Sequence, residues 1–368
     1  MTDRDTLLRI LALARWAPSG DNTQPWRFRI RNDRHFEIHG FDTREWCLYD
    51  LDGYASLIAH GALLETIRIA ATGSGVHAEW RLQDESPEAK PVYDVFLSEA
   101  EGQEPDPLLA HIERRAVQRR PMRMQALTEQ QKASLVDAVG EDFELKFFET
   151  FGARWHIARL LWRSAYIRLS APEAFEVHRE IIDWGKAFSE DRIPERAVGV
   201  DVATARLMKW VMHSWQRVQF FNKYLGGTIA PRLQLDLLTG MACAAHIALQ
   251  PKQAPRTRLD YVAVGVALQR MWLTATARDL CLQPEMTPII FRWYVQAGRR
   301  LSRVPELDDL ARRLAEDIDS TVEVARDAPL SFLCRVGSGP QPRSRSLRKP
   351  LGDLMIDDDG GDENAMSH

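Results

Sequence analysis

The sequence has no apolar run near the roughly 18 residues that a membrane-spanning helix needs. Its first residues lack the basic stretch, apolar core and cleavage site of a secretory signal, so we expect a cytoplasmic protein with no membrane partner. Cys47, Cys243, Cys281 and Cys334 form no CxxC pair, which excludes a zinc-finger spacing and fits buried thiols in a reducing compartment. A net charge of −4 provides no global attraction to nucleic acid.

The common catalytic signatures are also missing. The sequence contains no GxSxG elbow, no Walker loop and no GxGxxG fingerprint. His156, His178, His213 and His246 stand apart on segments expected to be helical, so we expect core or surface histidines and no metal site. Because no nucleophile has a base at motif spacing, we expect any chemistry to come from a cofactor, with no catalytic side chain.

The hydrophobic pattern indicates a mixed protein. A length of 368 residues suggests two domains of ordinary size. Alternation at Trp26–Ile30 and His35–His39 predicts a hairpin, followed by a helix over 54–72 and strands over 76–82 and 92–97. Beyond residue 108 the pattern predicts mainly helices, at 154–169, 173–187, 202–225, 234–249, 259–281 and 306–325. One final strand is predicted at 330–336.

One helical segment occurs twice. Residues 61–72 align with 265–276 at a constant offset of 204, with Gly61 on Gly265. Two buried helices that each carry a glycine can look alike by chance. The alternative is a duplicated module whose two copies pack face to face through these helices.

The segment Ala17–Trp26 has the composition of a recognition loop. Two prolines stiffen it, Gly20 permits close backbone approach, and Ser19, Asn22 and Gln24 supply short polar side chains. Trp26 would anchor the loop to the strand behind it. Such a loop suits a flat heteroaromatic ligand, although an ordinary Asx-type turn before a strand has the same composition.

Two segments are rich in arginine, residues 114–123 and 343–349. Guanidinium groups bind phosphate in a bidentate manner and remain charged at physiological pH. Either segment alone is typical of a solvated basic face. Convergence of both on one phosphate is the more specific hypothesis.

The loop carries a family resemblance. Leu13–Phe28 resembles the flavin-contacting segment of the nitroreductase superfamily, A-P-S-x-x-N-x-Q-P-W-x-F. The helix over 265–280 and the loop Cys281–Pro288 are similar to that family's central helix and the loop that meets the flavin pyrimidine. Leu333–Pro340, together with the arginines that follow, is similar to its C-terminal strand and phosphate-binding end.

The order of the motifs departs from ordinary members, which are homodimers whose arginine-serine segment precedes the loop. Here the loop comes first, and with the repeated helix this order resembles the fused two-module branch of Acg-type and MoeY-like proteins. Ala116 and Gln118 occupy places where the resemblance leads us to expect Arg and Ser. Arg115, Arg119 and Arg120 would have to compensate.

The resemblance implies an α+β nitroreductase-like fold with two related halves in one chain. These would form a pseudo-dimer with a mainly antiparallel central sheet flanked by helices. We expect the first half over 1–105 and the second over 106–340, with a helical insertion at about 170–232. A basic, then acidic tail would cover 341–368 and be disordered in its last part. The chain would be a monomer through its internal pseudo-dimer, or a weak homodimer.

The implied activity is that of an FMN-binding oxidoreductase. It would transfer hydride or electrons from NAD(P)H through FMN to a small organic acceptor. Loop side chains would hydrogen-bond the flavin, the arginines would bind its phosphate, and the backbone near residue 285 would meet the pyrimidine. The residues expected to bind the cofactor are Pro18, Ser19, Gly20, Asn22, Gln24, Trp26, Arg115, Gln118, Arg119, Arg120, Pro284, Glu285, Met286, Arg345 and Arg348.

Two alternatives of other classes stay open. One is a redox-inactive protein that binds or sequesters FMN under a closed lid. The other is a nucleic-acid binder that uses the arginine segments, against which the acidic net charge argues. The lid depends on residues 170–232, where Trp210, Phe220 and Tyr224 fall off the apolar stripe of the expected helix and need a second surface, such as the flavin face.

Overall fold

The computed structural model describes residues 3–100, 102–326 and 328–356. The helices of ten residues or more in these ranges are α1 (Arg4–Ala14), α2 (Tyr54–Thr72), α3 (Glu129–Val139), α4 (Phe151–Ser170), α5 (Pro172–Ile181), α6 (Val202–Val211), α7 (Trp215–Tyr224), α8 (Arg258–Ala277), α9 (Thr287–Gln296) and α10 (Pro305–Val322). The strands of five residues or more are β1 (Trp26–Asn32), β2 (His35–Gly40), β3 (Val76–Leu82), β4 (Val92–Glu99), β5 (Phe143–Phe148), β6 (Ala245–Pro251), β7 (Leu280–Pro284) and β8 (Phe332–Ser338). Among the described residues, no helix is both long enough and apolar enough to cross a membrane.

The first half of the chain forms a four-stranded antiparallel sheet in the order β1-β2-β4-β3. The expected hairpin is present, with Trp26 opposite Gly40 and Ile30 opposite Phe36. Alternate residues of β1, including Phe28, are buried in the same apolar cluster as residues of α2, because neighbouring strand positions point to opposite faces. α2 is apolar on nearly all sides and lies almost wholly in the interior.

The second half repeats this arrangement. Its antiparallel sheet has the order β5-β6-β8-β7. Both sheets therefore have the same strand order, in which the fourth strand along the chain lies between the second and the third. In each half a helix precedes the first strand, and a long buried helix, α2 or α8, connects the second strand to the third. The starts of these helices and of the next strands, Tyr54 and Arg258, then Val76 and Leu280, keep the offset of 204. The expected α+β architecture with two related halves is confirmed.

The two long helices meet through the repeated glycines. A Cβ atom built on Gly61 would collide with the Val262 carbonyl oxygen and lie 2.9 Å from the Cα atom of Gly265. A Cβ atom on Gly265 would collide with the Ile58 carbonyl oxygen and lie 2.8 Å from the Cα atom of Gly61. Because 58 and 262 also differ by 204, each helix presents the same residues to the other.

Polar contacts beside the glycines are equally reciprocal. Gln269 Nε2 donates to Thr66 Oγ1 at 2.8 Å, and Arg270 Nη1 pairs with Glu65 Oε1 at 2.8 Å. At the offset of 204, Gln269 is the counterpart of Glu65 and Arg270 is the counterpart of Thr66. Residue 65 therefore contacts the counterpart of residue 66, and residue 66 contacts the counterpart of residue 65. Reciprocity of this kind characterises a two-fold interface, so the halves form an internal pseudo-dimer.

One helix prediction was wrong. Residues 234–249 were expected to be a single helix, but the helical part ends at Met241 and residues 245–251 form β6. Every residue of β6 is buried because it lies between β5 and β8 with both faces covered. A strand of this kind shows no alternation, and its run of apolar residues cannot be distinguished from a buried helix by periodicity.

Other predicted boundaries changed where local signals were overlooked. The helix expected over 202–225 is divided into α6 and α7, because Ser214 caps α7 by accepting the Arg217 N–H. The helix expected over 173–187 ends at Ile181. The region Cys281–Pro288, expected to be a loop, begins with strand β7 and continues into α9.

The basic part of the C-terminal segment pairs with the second half and also contacts the first half. Arg345–Ser346 forms a short parallel pair with Phe188–Ser189, and the Ile356 N–H donates to the Phe28 carbonyl at 2.8 Å. This route brings residues 345–349 next to the loop at 17–26. The disorder expected at the end of the acidic tail concerns residues that lie outside those described.

Candidate functional site

The loop between α1 and β1 has an unusual backbone. Asp21, Asn22 and Gln24 have φ values of 50°, 65° and 49°, in the left-handed region that non-glycine residues rarely adopt. Ser19 Oγ stabilises this conformation by accepting the Gln24 N–H at 2.9 Å. Strained backbone of this kind concentrates at ligand-binding sites.

The other predicted loop residues surround this turn. Pro18 is buried, and the Trp26 side chain is completely buried, although its indole Nε1 has no hydrogen-bond partner among the described residues. Gly20 is exposed, and a Cβ atom built on it would meet nothing described within 4 Å. Trp26 therefore lies in the core at the end of the loop, while the protein's own packing does not require a glycine at 20.

The loop amides are held by two other segments of the chain. Asn22 Nδ2 and Gln24 Nε2 both donate to the Glu190 carbonyl, at 3.1 and 2.8 Å. Arg348 Nη1 donates to Asn22 Oδ1 at 2.9 Å, and the Lys349 N–H donates to Gln24 Oε1 at 2.9 Å. Both amides thus bind the protein's own backbone, and the Asn22 amide also binds Arg348.

Four arginines gather around Trp16. The guanidinium carbons of Arg15, Arg345 and Arg348 lie 5.5, 4.9 and 5.9 Å from the centroid of its ring. Arg115 donates to the Trp16 carbonyl at 2.8 Å, and its guanidinium carbon lies over a different ring, 4.6 Å from the centroid of Trp272. Arg115 and Arg348, buried in the fold, come from the two basic segments, which therefore converge here.

No carboxylate among the described residues pairs with the positive charge of this arginine cluster. Burial and the nearby charge of Arg345 lower the pKa of Arg115 to about 9. Burial, followed by the charges of Arg115, Arg345 and Arg15, holds the pKa of Arg348 well below its usual range. None of the four forms a salt bridge with a described residue; their acceptors are backbone carbonyls and the Asn22 amide.

Two buried donors at the cluster have no acceptor. Neither the Trp16 indole Nε1 nor Arg115 Nε has a hydrogen-bond partner in the part of the chain that the structure describes. Buried polar groups in native proteins are almost always paired, by protein, water or an ion. Concentrated positive charge and two unpaired donors together fit an anion with several acceptor oxygens.

The remaining predicted residues of the first basic segment do not belong to the arginine cluster around Trp16. Gln118 is buried and its Nε2 donates to the Pro340 carbonyl at 2.8 Å. Arg119 donates to the Ala197 carbonyl at 3.3 Å, and Arg120 is exposed. Of the three arginines expected to compensate for the altered motif, only Arg115 is in the cluster around Trp16.

The predicted pyrimidine contact, Pro284–Met286, is largely engaged within the fold. Pro284 ends β7, and the Glu285 N–H donates to the Leu333 carbonyl at 2.7 Å. The Glu285 carboxylate is buried between His246 Nδ1, at 2.7 Å, and Arg335 Nη1, at 3.1 Å. Met286 immediately precedes α9, and its carbonyl accepts the N–H of the residue four positions later.

His246 is a charged partner in this buried group. Burial alone would lower its pKa, but the adjacent Glu285 carboxylate and the Cys243 side chain raise it to about 10. Nε2 lies 2.8 Å from the Gly240 carbonyl, so both ring nitrogens face acceptors, as an imidazolium requires. His246, expected on an isolated helical position, instead lies on β6 opposite Arg335 of β8.

A second polar cluster adjoins the loop. Asp21 lies within electrostatic range of Arg119 and Arg168, and burial outweighs their charges to raise its pKa. Arg168 Nη2 pairs with Asp236 at 3.1 Å. Burial raises the pKa of Asp236 to about 6, against the opposing effect of Arg168. A carboxyl group that titrates near neutral pH can accept or release protons in catalysis.

Sequence reasoning missed several of these residues. Arg15 and Trp16 lie directly before the loop Ala17–Trp26, so an arginine-tryptophan pair next to a segment that resembles a flavin-contacting loop was the available signal. Arg168 and Asp236 belong to α4 and to a π-helical turn, Leu233–Leu237, and nothing in their local sequence brings them together. Among the described residues, no group of three or more His, Cys, Asp or Glu side chains could hold a metal ion.

No family model matches the sequence, and no curated protein does so. Among solved structures, the FMN and NADPH-dependent nitroreductase NfnB from sphigopyxis sp. strain HMH is 14% identical, covering 69% of this chain and 99% of its own, with a TM-score of 0.38. NfnB from Mycobacterium smegmatis, in complex with NADPH, is 14% identical over 67% of this chain and 95% of its own, with a TM-score of 0.36. A nitroreductase-like family protein from Bacillus cereus is 12% identical over 69% and 97%, with a TM-score of 0.35. Similarity at this level assigns the chain neither a family nor a ligand.

Proposed function

We propose that this chain is an FMN-dependent oxidoreductase of nitroreductase type, with the phosphate of FMN bound by the arginine cluster. The observation that carries the proposal is the convergence of Arg15, Arg115, Arg345 and Arg348 on Trp16, directly beside the A-P-S-x-x-N-x-Q-P-W loop. The loop motif supports a flavin, and the cluster supports the phosphate that distinguishes FMN from riboflavin.

The residues present fit such a group at its phosphate end. Four guanidiniums without a carboxylate partner among the described residues repel one another, and a dianion would relieve this repulsion. Arg115 Nε and Trp16 Nε1 would supply the hydrogen bonds that they do not make within the chain. Three guanidinium groups lie against the Trp16 ring, which limits their movement before a ligand binds.

FMN, when bound, would supply the chemistry by accepting a hydride from NAD(P)H and passing electrons to a small organic acceptor. The loop residues would position it, and the polar cluster of Asp21, Arg168 and Asp236 would exchange protons beside it. The two related halves support assignment to the fused two-module branch. A cytoplasmic location is part of this proposal, and the four buried free thiols support it.

Removal of one arginine tests the phosphate site. Arg345→Gln should weaken FMN binding by about 1–3 kcal/mol and leave riboflavin binding nearly unchanged, because only FMN carries the phosphate. Arg114→Gln is the matched control, since Arg114 is an exposed arginine of the other basic segment, 114–123, and pairs with Asp279 at 3.7 Å. Equal losses for both flavins, or an equal loss in the control, would contradict the assignment.

One structural feature favours a second function, a redox-inactive protein that binds or sequesters FMN. The side-chain amides of Asn22 and Gln24 are already hydrogen-bonded to the Glu190 carbonyl, and that of Gln24 also to the Lys349 N–H. Two segments of the chain therefore already contact the loop that is expected to bind flavin. The visible spectrum of the FMN-loaded protein, recorded without oxygen before and after addition of NAD(P)H, separates the two functions. Bleaching supports the oxidoreductase, an unchanged yellow spectrum supports sequestration, and failure to take up FMN contradicts both.

A further inference from the structure

A long stretch of the second half has charges of only one sign. Between Val202 and Leu235 the sequence contains no acidic residue and five basic residues, although the whole chain has 52 acidic residues and a net charge of −4. α6 and α7 account for most of this stretch and form a helical pair that we call the basic hairpin, residues 202–225. Its local charge is therefore opposite to that of the protein as a whole.

The basic hairpin also exposes large apolar side chains. Trp210, Phe220, Tyr224 and Leu225 are 52%, 53%, 63% and 59% exposed. The rings are continuous: Phe221 lies 5.6 Å from Trp210 and 6.1 Å from Phe220, and Phe220 lies 5.2 Å from Tyr224, between centroids. Exposed aromatic side chains that touch one another form a patch rather than scattered surface residues, and such patches mark interaction sites.

Cationic groups are distributed over the same patch. The Arg217 guanidinium carbon lies 4.5 Å from the Trp210 ring centroid, and Lys223 Nζ lies 5.1 Å from that of Tyr224. Lys209 is exposed on α6, one residue before Trp210. A partner must therefore bury apolar rings and neutralise several positive charges at the same time.

The chemistry of this patch selects one kind of partner. Helices that lie in a membrane interface combine Trp, Phe or Leu with Lys and Arg. A two-fold contact with a second copy would place the basic groups against one another, which is unfavourable. Each helix of the basic hairpin has ten residues, too few to span a bilayer, so contact would be peripheral.

We propose that the basic hairpin docks on an anionic lipid surface. The exposed rings enter the headgroup region, and the neighbouring lysines and arginines pair with lipid phosphates. The lack of a bilayer-spanning segment led us to expect no membrane partner, but a peripheral contact needs no such segment. This interaction is independent of the flavin proposal, since none of the patch residues belongs to the arginine cluster.

Flotation of the full-length chain with vesicles tests the proposal. We expect binding to vesicles of equal parts phosphatidylcholine and phosphatidylglycerol, little binding to phosphatidylcholine alone, and release at high salt. Lys209→Ala with Lys223→Ala should lower the partition coefficient about 25-fold, at about fivefold for each basic residue. Trp210→Ser with Phe220→Ser should lower it at least tenfold, and these exposed positions can change without disturbing the core.

The matched control is Trp46→Ser, which removes an indole that is 48% exposed in the first half. Its binding should equal that of the unaltered chain, and an equal loss in this variant would overturn the proposal. Absence of binding to anionic vesicles, or equal binding to neutral vesicles, would overturn it too. The chain could instead dimerise in the absence of lipid, in a manner that depends on its concentration. If Trp210→Ser with Phe220→Ser abolished such dimerisation, the patch would be assigned to a second copy.

Discussion

The contact between the two glycines leads to the most direct test of the pseudo-dimer. In a Gly61→Ala variant the new methyl group would lie 2.9 Å from the Cα atom of Gly265 and closer still to the Val262 carbonyl oxygen. Carbon atoms pack best at about 3.5–4.0 Å, so the two helices would have to separate by roughly 1 Å. The obstructing atoms are backbone, which no change of side-chain rotamer can move aside.

The cost of that separation should lie at the upper end for overpacking. Inserting a methyl group into a packed core usually costs about 1–3 kcal/mol. Here the displaced elements are helices of 19 and 20 residues that connect the two halves, so we expect a loss of about 3 kcal/mol or more. Gly265→Ala should have a similar effect, because its methyl group would meet the Ile58 carbonyl in the equivalent position.

Urea unfolding followed by circular dichroism measures these losses. Gly152→Ala is the matched control: Gly152 lies in α4, a Cβ atom there would meet nothing described within 4 Å, and alanine in a helix stabilises by up to about 1 kcal/mol. The double variant of 61 and 265 should lose less than the sum of the single losses, since both methyl groups widen one contact. If Gly61→Ala unfolds at the same midpoint as Gly152→Ala, the close helix contact is wrong.

Three further predictions concern charge. Arg345→Gln should raise the unfolding free energy of flavin-free protein by about 1 kcal/mol, because it removes a positive charge next to Arg348; a lower midpoint would contradict this. Asp236 has a pKa of about 6 in the fold against 3.8 ordinarily, so its ionisation opposes folding, and stability should fall by about 1–3 kcal/mol between pH 4 and pH 7. Asp236→Asn should remove that slope in urea titrations at each pH, and a retained slope would exclude this carboxyl as its source. Glu285→Gln should cost about 3–5 kcal/mol, since two buried cations lose their partner, and a change below 1 kcal/mol would show that the ion pairs contribute little.

Much of the framework could be predicted from the sequence because its signals are local. The helix over 54–72 and the strand over 76–82 are found where the pattern placed them, since apolar spacing and flanking turns determine both. β6 could not be recognised, because a strand buried on both faces loses the alternation that identifies a strand. The repeat at an offset of 204 predicted the glycine contact, since only a close helix crossing requires glycine in both copies.

The candidate site was predicted less completely, because it depends on which way individual side chains face. Both basic segments contribute to the arginine cluster, but Arg119 faces Asp21 and Arg335 instead. An arginine-rich segment without regular structure has no periodicity that separates its two sides. The Asp236 pair with Arg168 joins residues 68 positions apart, and only the tertiary fold brings them together.

The two halves share a framework but differ at the position that matters for the site. In the first half, eleven residues separate α1, ending at Ala14, from β1, and they form the strained loop. In the second half only three residues separate α3, ending at Val139, from β5. That short turn has no room for a counterpart of the loop, so the pseudo-two-fold relation should not produce a second site. We therefore expect one FMN for each chain in a titration followed by flavin fluorescence, and two would contradict the assignment of the site to this loop.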